Sequence, residues 1–352
     1  MQCINVATNP NYKVIIGQDI LEDVTHYADD CGSECIIVSD SNVANLYLPR
    51  VRAALTAAGM RVGEVVFTAG ESCKTLTTAG KLLDAYAQFK LTRSGVVLAL
   101  GGGVTGDLAG FTSAVWLRGV PVIQLPTTLL AMVDSAVGGK TGVDLPYGKN
   151  LIGAFHQPRK VLADINTLKT LPEEQHLDGV AEMLKAGITR DPELFAKLLS
   201  EPQSALSEEA IARSISIKAE IVVADEFERG ERKLLNLGHT AGHAIEKVSN
   251  YRIRHGRAVA MGMVLVADAG WRHGITSEAC RDAIIEALAR CNLPLLSPYQ
   301  IEELLPAMGY DKKRTGSKIT LAVPKEIGQC ELLELAVEEL PAFWGVKGVQ
   351  EL

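Results

Sequence analysis

Short apolar runs alternate with helical patterns through the first half of the chain. Residues 14–17, 35–39, 63–67, 95–100, 122–125 and 161–163 are short, rich in β-branched side chains and bounded by glycine, proline or aspartate. They predict buried strands. Between them Leu82, Leu83, Tyr86 and Phe89 fall at helical spacing. Strand–helix alternation implies a mostly parallel sheet covered by helices, a Rossmann-like α/β domain. From about Leu171 the period changes. Leu194, Phe195, Leu198 and Leu199 form one helical stripe. Ser207 followed by Glu208 and Glu209 starts another helix, its carboxylates at the positive end of the dipole. Ile211, Ile215, Ile217 and Ile221 continue it. The second half therefore predicts an α-helical domain, with the boundary within residues 158–171. An α/β domain followed by a helical one predicts a cleft, a common place for a ligand.

The bulk properties narrow the classes. A chain of 352 residues suits two domains, and 47% hydrophobic with 22% charged residues is the balance of a soluble globular protein. The net charge of -7 disfavours nucleic acid and membrane surfaces as partners. No apolar stretch is long enough for a membrane span, and the N-terminus lacks a signal-peptide pattern. The seven cysteines form no CxxC pair, which fits reduced thiols and a cytoplasmic location.

Three segments carry chemistry. In the first, an apolar strand runs into Gly101, Gly102 and Gly103, and Gly101, Gly103 and Gly106 match GxGxxG. Glycines admit a pyrophosphate close to the backbone, and a helix N-terminus offers free N–H groups. The same string also suits a tight turn, and it lies far from the first strand–helix turn where the dinucleotide fingerprint belongs. In the second, Gly138-Gly139-Lys140-Thr141 ends like a P-loop, but that motif needs glycine where Asp134 stands, so an NTPase reading fails. Lys140, Lys149 and Asn150 remain either a phosphate cradle or solvated surface groups. In the third, His239, His243 and His255 fall within 17 residues, and His239 and His243 share a helical face. Two imidazoles with the carboxylate of Glu182 would make a three-ligand zinc site with an open position, Lys185 lying one turn beyond Glu182. Spacing does not decide which two histidines bind.

Taken together, these strings resemble the 3-dehydroquinate synthase family of sugar-phosphate cyclases. The resemblance rests on Gly101-Gly102-Gly103-Val104-Thr105-Gly106-Asp107, Leu117-Arg118-Gly119, Pro126-Thr127-Thr128-Leu129-Leu130-Ala131 and Gly138-Gly139-Lys140-Thr141-Gly142. It continues through Gly148-Lys149-Asn150-Leu151-Ile152-Gly153, Glu182-x-x-Lys185, Leu235-Asn236-Leu237-Gly238-His239-Thr240 and Asp311-Lys312-Lys313, in the family's order along nearly the whole chain. It implies an NAD-binding domain over residues 1–165 and a zinc- and substrate-binding domain over 166–352. The implied zinc ligands are Glu182, His239 and His255, with cobalt as a substitute. The implied NAD site comprises Asp40, Asn42, Glu71, Lys74, Gly101, Gly102, Gly103, Asp107, Thr127 and Thr128. Implied substrate contacts are Asp134, Lys140, Lys149, Asn150, Lys185, Lys218, Arg232, Asn236, His243 and one of Lys312 and Lys313. In the family, Arg118 reaches the partner's active site, which implies a homodimer.

The implied reaction converts 3-deoxy-D-arabino-heptulosonate 7-phosphate into 3-dehydroquinate and phosphate. NAD oxidises a hydroxyl, phosphate is eliminated, the hydride returns, and the ring reopens and closes by an aldol step. One departure stands out: the family reads His-Gly-Glu where this chain has His255-Gly256-Arg257. Rival readings are another sugar-phosphate cyclase, a polyol dehydrogenase of the glycerol dehydrogenase type, and a non-catalytic paralogue. If the helix of His239 extends back that far, Arg232 lies two turns before it with Asn236 on the same turn as His239; the resemblance gives Arg232 and Lys218 the substrate carboxylate, which favours the sugar acid.

Overall fold

The strands the apolar runs predict are all present in the computed structural model, which describes residues 1–27, 32–309 and 318–346. In chain order the strands are β1 (Gln2–Val6), β2 (Tyr12–Gly17), β3 (Glu34–Asp40), β4 (Arg61–Phe67), β5 (Val96–Gly101), β6 (Val122–Pro126), β7 (Lys140–Leu145), β8 (Gly148–Phe155), β9 (Lys160–Asp164), β10 (Lys318–Glu326) and β11 (Gln329–Ala336). The helices of the first half are α1 (Val24–Tyr27), α2 (Ser41–Ala57), α3 (Leu76–Phe89) and α4 (Gly103–Val115). Those of the second half are α5 (Glu173–Arg190), α6 (Pro192–Ser200), α7 (Glu208–Ala224), α8 (His239–Val248), α9 (His255–Arg272), α10 (Glu278–Arg290), α11 (Ile301–Gly309) and α12 (Leu340–Phe343).

Two units result: Met1–Pro172 with Lys218–Val223, and Glu173–Ile217 with the described part of Ala224–Leu352. The first holds a seven-stranded sheet in the order β1-β2-β9-β6-β5-β3-β4, parallel except for β1. β3, β5 and β6 are buried along their whole length, as central parallel strands covered on both faces must be. Their side chains alternate between two cores. Cys35 and Ile37 of β3 join Tyr47, Leu48, Val51 and Leu55 of α2 on one side. Ile36 and Val38 join Leu82 and Tyr86 of α3 and Leu108 of α4 on the other. The chain runs outward from β3 to β4, returns to β5 and continues to β6 on the opposite side. The strand order therefore reverses between β3 and β5, the kind of crevice where α/β sheets bind ligands.

The second unit is helical, as its periodicity predicts, with Leu194, Phe195 and Leu198 of α6 buried. Asp191 caps α6 by accepting from the N–H groups of Glu193 (3.1 Å) and Leu194 (3.0 Å). Ser207 accepts from the N–H of Ala210 at the start of α7. The unit also contains an antiparallel hairpin, β10–β11, that the helical reading of the second half did not include. Its pairing shifts register between Pro324 and Glu326, and Gly328 turns the chain at φ 86°. Those interruptions hide the two-residue period. The β7–β8 hairpin of the first unit escaped for a related reason: four glycines stand within residues 138–148, and β8 exposes alternate residues. No helix among the described residues is long and apolar enough to cross a membrane.

Candidate functional site

The three metal-ligand candidates converge from three helices of the second unit. Glu182 of α5 is 3% exposed. Nε2 of His239, at the start of α8, lies 3.7 Å from Glu182 Oε1, and Nε2 of His255, at the start of α9, lies 3.5 Å from the same oxygen. These separations exceed a good hydrogen bond. Two donors bound about 2.0–2.2 Å from a tetrahedral ion stand about 3.4 Å apart, so the spacing suits a metal between them. The imidazoles present Nε2 because Nδ1 is engaged in each: with Leu237 O at 3.1 Å for His239, and with Glu246 Oε2 at 3.2 Å for His255. The other oxygen of Glu182 receives Lys185 Nζ across one helical turn. Burial works against a charged His255, but Glu182 and Glu246 outweigh it and hold the imidazole up to about 10 in the absence of a metal. His243, Glu246 and His255 form a second cluster of candidate ligands, and His243 is exposed with its ring 5.2 Å from that of His239. The donor set of carboxylate and two imidazoles fits a zinc- or cobalt-type ion.

Two glycines make this convergence geometrically feasible. Gly238 sits at φ 74°, and a Cβ there would meet Val259 O at 2.8 Å, so only glycine lets α8 begin against α9. The break also corrects an expectation: α8 does not extend back to Arg232. Arg232 and Asn236 lie in a separate 3₁₀ segment, Glu231–Asn236, and do not share a helical face with His239. Arg232 is 2% exposed and donates to the Glu226 carbonyl, while Asn236 Nδ2 donates to Glu228 Oε1 at 2.9 Å. Gly256 lets α9 approach α5 closely. There Asp178, one turn before Glu182, accepts from the Gly256 N–H (3.2 Å) and from Arg254 Nε (2.8 Å). Asp178 and Glu246 had no place among the sequence candidates. The signal was there, with Glu246 seven residues after His239 and Asp178 four before Glu182, each on the same helical face as a candidate ligand.

In the first unit the nucleotide-site candidates gather at the C-terminal ends of β3, β5 and β6. Asp40 ends β3 and caps α2, accepting from Asn42 N (2.9 Å) and Val43 N (3.2 Å), while Thr105 Oγ1 donates to its other oxygen at 3.1 Å. Gly101, Gly102 and Gly103 lead from β5 into α4, whose first turn carries no acidic residue. A Cβ at Gly102 would stand 3.1 Å from the Thr128 methyl, so the surface there is formed by backbone. Thr128 Oγ1 accepts from Ala131 N at 3.1 Å. Thr127 Oγ1 is buried and has no hydrogen-bond partner among the described residues, an orphaned polar group that a bound ligand would satisfy. A dinucleotide fits this set: an anion-binding helix start, a backbone surface and a waiting hydroxyl.

Lys74 ties these residues to the supposed phosphate cradle. Its buried ammonium donates to Asp107 Oδ2 and to Asn150 Oδ1. Burial opposes its charge, yet Asp107, Glu71 and Asp144 outweigh that and raise Lys74 above the ordinary lysine range. Asp107 is itself moved upward by burial, against the pull of Lys74; the lysine, facing three carboxylates, carries the firmer charge. Lys149 Nζ stands 3.3 Å from Glu71 Oε1, and Asn150, at φ 51°, donates its N–H to Asp144 at 2.7 Å. Gly138 and Gly139, both at positive φ, lead into a strand and not a helix, so Lys140 opens β7, and the P-loop geometry is absent. Asp134 pairs with Lys218 (2.6 Å). Arg118 is exposed on a tight turn at φ 68°. Lys312 and Lys313 lie outside the described residues.

Residues 64–178 match the family model for the N-terminal part of 3-dehydroquinate synthase, and residues 179–314 match that for its C-terminal part. The chain belongs to the 3-dehydroquinate synthase family. The 3-dehydroquinate synthase of Xanthomonas oryzae is 46% identical over 339 residues, covering 92% of each chain. Among solved structures, 2-deoxy-scyllo-inosose synthase in complex with carbaglucose-6-phosphate, NAD+ and Co2+ superposes with a TM-score of 0.87 at 26% identity, covering 97% of this chain and 99% of that one. The 2-epi-5-epi-valiolone synthase of Streptomyces hygroscopicus, with NAD+ and Zn2+ bound, gives 0.87 at 27% identity, covering 94% and 95%. The α/β domain followed by a helical domain is thus the family's architecture.

Proposed function

We propose that the protein is a 3-dehydroquinate synthase, a phosphate-eliminating carbon–oxygen lyase. Its substrate is 3-deoxy-D-arabino-heptulosonate 7-phosphate, and its products are 3-dehydroquinate and phosphate. The observation that carries this reading is the convergence of two imidazoles on the buried Glu182 carboxylate, in a chain that matches the synthase family from residue 64 to 314. The relatives that share 42–46% identity are named for this activity, whereas the cyclases acting on other sugars share only 26–27%.

Glu182, His239 and His255 would hold zinc, with cobalt as a substitute, and the residues at the ends of β3, β5 and β6 would hold NAD. When bound, NAD supplies a reversible hydride acceptor and the metal ion a Lewis acid. The rest falls to the chain. The start of α4 offers backbone N–H groups to the pyrophosphate, and Thr127 offers its unused hydroxyl. Asp40, Asn42, Glu71, Lys74 and Asp107 shape the remainder of that site. In the first unit Lys140, Lys149 and Asn150 are the candidate phosphate ligands, and Lys218 is held in place by Asp134. In the second, Lys185, Arg232, Asn236 and His243 are the candidate substrate ligands. His243 is exposed beside His239, its ring 5.2 Å away. A guanidinium suits a carboxylate, so Arg232 favours the sugar acid over sugar phosphates that lack a carboxylate. A homodimer with Arg118 at the partner's site completes the reading, as does a division of labour between an NAD-binding first domain and a metal- and substrate-binding second one.

The deciding assay follows phosphate release from the seven-carbon sugar acid phosphate. Release without net NADH, abolished by a chelator and restored by zinc, is the expected result. Equal turnover of sedoheptulose 7-phosphate would overturn the substrate assignment. Accumulating NADH with a polyol would instead make the protein a dehydrogenase.

A further inference from the structure

Glu246 occupies an unfavourable position. Its side chain is 2% exposed, and it stands in the last turn of α8. Burial penalises a carboxylate, and the negative end of a helix dipole penalises it further. A residue serving only to fill space there would be better apolar. What Glu246 does touch is specific: its Oε2 lies 3.2 Å from Nδ1 of His255, nine residues on and at the start of the next helix. The backbone beneath it is held firmly, since the Glu246 carbonyl accepts from Tyr251 N at 2.7 Å and from Ser249 Oγ at 2.8 Å. His239 shows the same arrangement with a different acceptor, its Nδ1 lying 3.1 Å from the Leu237 carbonyl. In both rings the nitrogen turned from Glu182 has an acceptor, which leaves the other to face Glu182.

We propose that Glu246 is a positioning residue of the metal centre, fixing the ring of His255 so that Nε2 is the nitrogen presented to the ion. The inference rests on the reading that Glu182, His239 and His255 hold a metal. An acceptor behind a ligating imidazole fixes its orientation and raises its basicity, and losing one typically weakens metal binding by about 10- to 100-fold. A backbone carbonyl would orient the ring as well; a carboxylate adds charge, and because Glu246 is buried that charge is little screened and raises the basicity of His255 further.

The test compares the full-length natural protein with Glu246→Gln, Glu246→Leu and His239→Ala. Zinc affinity is measured by competition with a chromophoric chelator, the visible spectrum is recorded after cobalt substitution, and thermal unfolding is followed in the metal-free state. The expected result is zinc binding about 10- to 100-fold weaker in Glu246→Gln, weaker again in Glu246→Leu, and an altered cobalt spectrum in both. The metal-free variants should keep a cooperative thermal transition, so that weaker zinc binding reports on the site and not on loss of the fold, although removing the partner of His255 lowers their midpoint. Zinc affinity within twofold of natural in Glu246→Gln, with a superimposable cobalt spectrum, would overturn the proposal. Loss of zinc from Glu246→Gln as complete as from His239→Ala would also overturn it, making Glu246 a ligand in the cluster with His243 and His255. Natural zinc affinity in His239→Ala would show instead that the metal assignment itself fails, and the proposal with it.

Discussion

Replacing Gly256 by alanine should empty the metal site while leaving the fold in place. The residue follows His255 and abuts α5, where an added Cβ would lie 2.3 Å from Asp178 Cα and 2.6 Å from Asp178 O. Carbon atoms settle at about 3.5–4.0 Å, so the start of α9 must retreat from α5 by about 1.2 Å or more. His255 is the adjacent residue and Glu182 lies one turn along α5 from Asp178, so the retreat opens the 3.5 Å separation between His255 Nε2 and Glu182 Oε1. An opening of that size gives about 4.7 Å, whereas two bonds of about 2.0–2.2 Å span at most about 4.4 Å even in line. One of three ligands is then lost. Overpacking of this kind costs about 1–3 kcal/mol, which a domain of this size survives. Zinc content after dialysis against a zinc buffer should fall well below one per chain, with a cooperative thermal transition preserved in the chelated protein. Gly256→Ala with natural zinc affinity would refute the argument, because the close approach of α9 to α5 would then not set the ligand spacing.

Three further outcomes follow from the same structure. Gly102→Val should weaken NAD binding more than tenfold by calorimetry in a folded protein, because Gly102 adopts an extended conformation any residue tolerates while its side chain would project into a surface formed by backbone; unchanged affinity would mean the glycines serve only the turn. Asp225 accepts from the N–H groups of Arg229 (2.9 Å), Gly230 (2.7 Å) and Arg232 (3.1 Å), and although burial opposes it, these bonds hold its carboxyl below the ordinary range. A lowered folded pKa contributes stability above the unfolded value and loses it as pH falls through the folded one, so Asp225→Asn should cost about 1–3 kcal/mol in urea unfolding at pH 7, with the gap narrowing below about pH 4; an equal gap at both pH values would refute this. Arg257 stands in the first turn of α9, where a cation is disfavoured by about 0.3–1 kcal/mol, so Arg257→Glu should raise thermal stability slightly and leave phosphate release equal or higher; phosphate release from the variant alone would mark the natural protein as inactive.

What could be seen in the chain beforehand depended on how fully each element is buried. β3, β5 and β6 were legible because a central parallel strand must be apolar on both faces, and residues 35–39 announce that without ambiguity. β1 was not, because only Val6 of its five residues is buried. β11 was not, because Leu332, Leu333 and Leu335 read equally as a helical stripe, and only the pairing with β10 selects the strand. For the site, the histidine pair on α8 was legible from spacing alone, but the choice among three histidines was not. That choice rests on which nitrogen each ring has already committed, and therefore on Leu237 O and Glu246, neither of which any spacing rule links to His255.

The placement of Arg232 shows where such reading fails and why. Seven residues before His239 is two helical turns, so the sequence put both on one face. Gly238 breaks that inference, because its left-handed backbone ends one segment and begins another, and the residue that permits the close approach of α8 to α9 is the one that interrupts the helical count. The same trade recurs at Gly256, where the absence of a side chain brings His255 within reach of Glu182. In this chain the glycines beside the histidines therefore carry as much of the geometry of the candidate ligands as the histidines do. A spacing argument that counts ligands while treating glycine as neutral finds the donors and misplaces their neighbours. Arg232 ends up buried behind the Glu226 carbonyl instead of in line with the ligands, so any part it takes in holding a substrate carboxylate depends on the segment from Asp225 to Asn236, which Asp225 itself holds together.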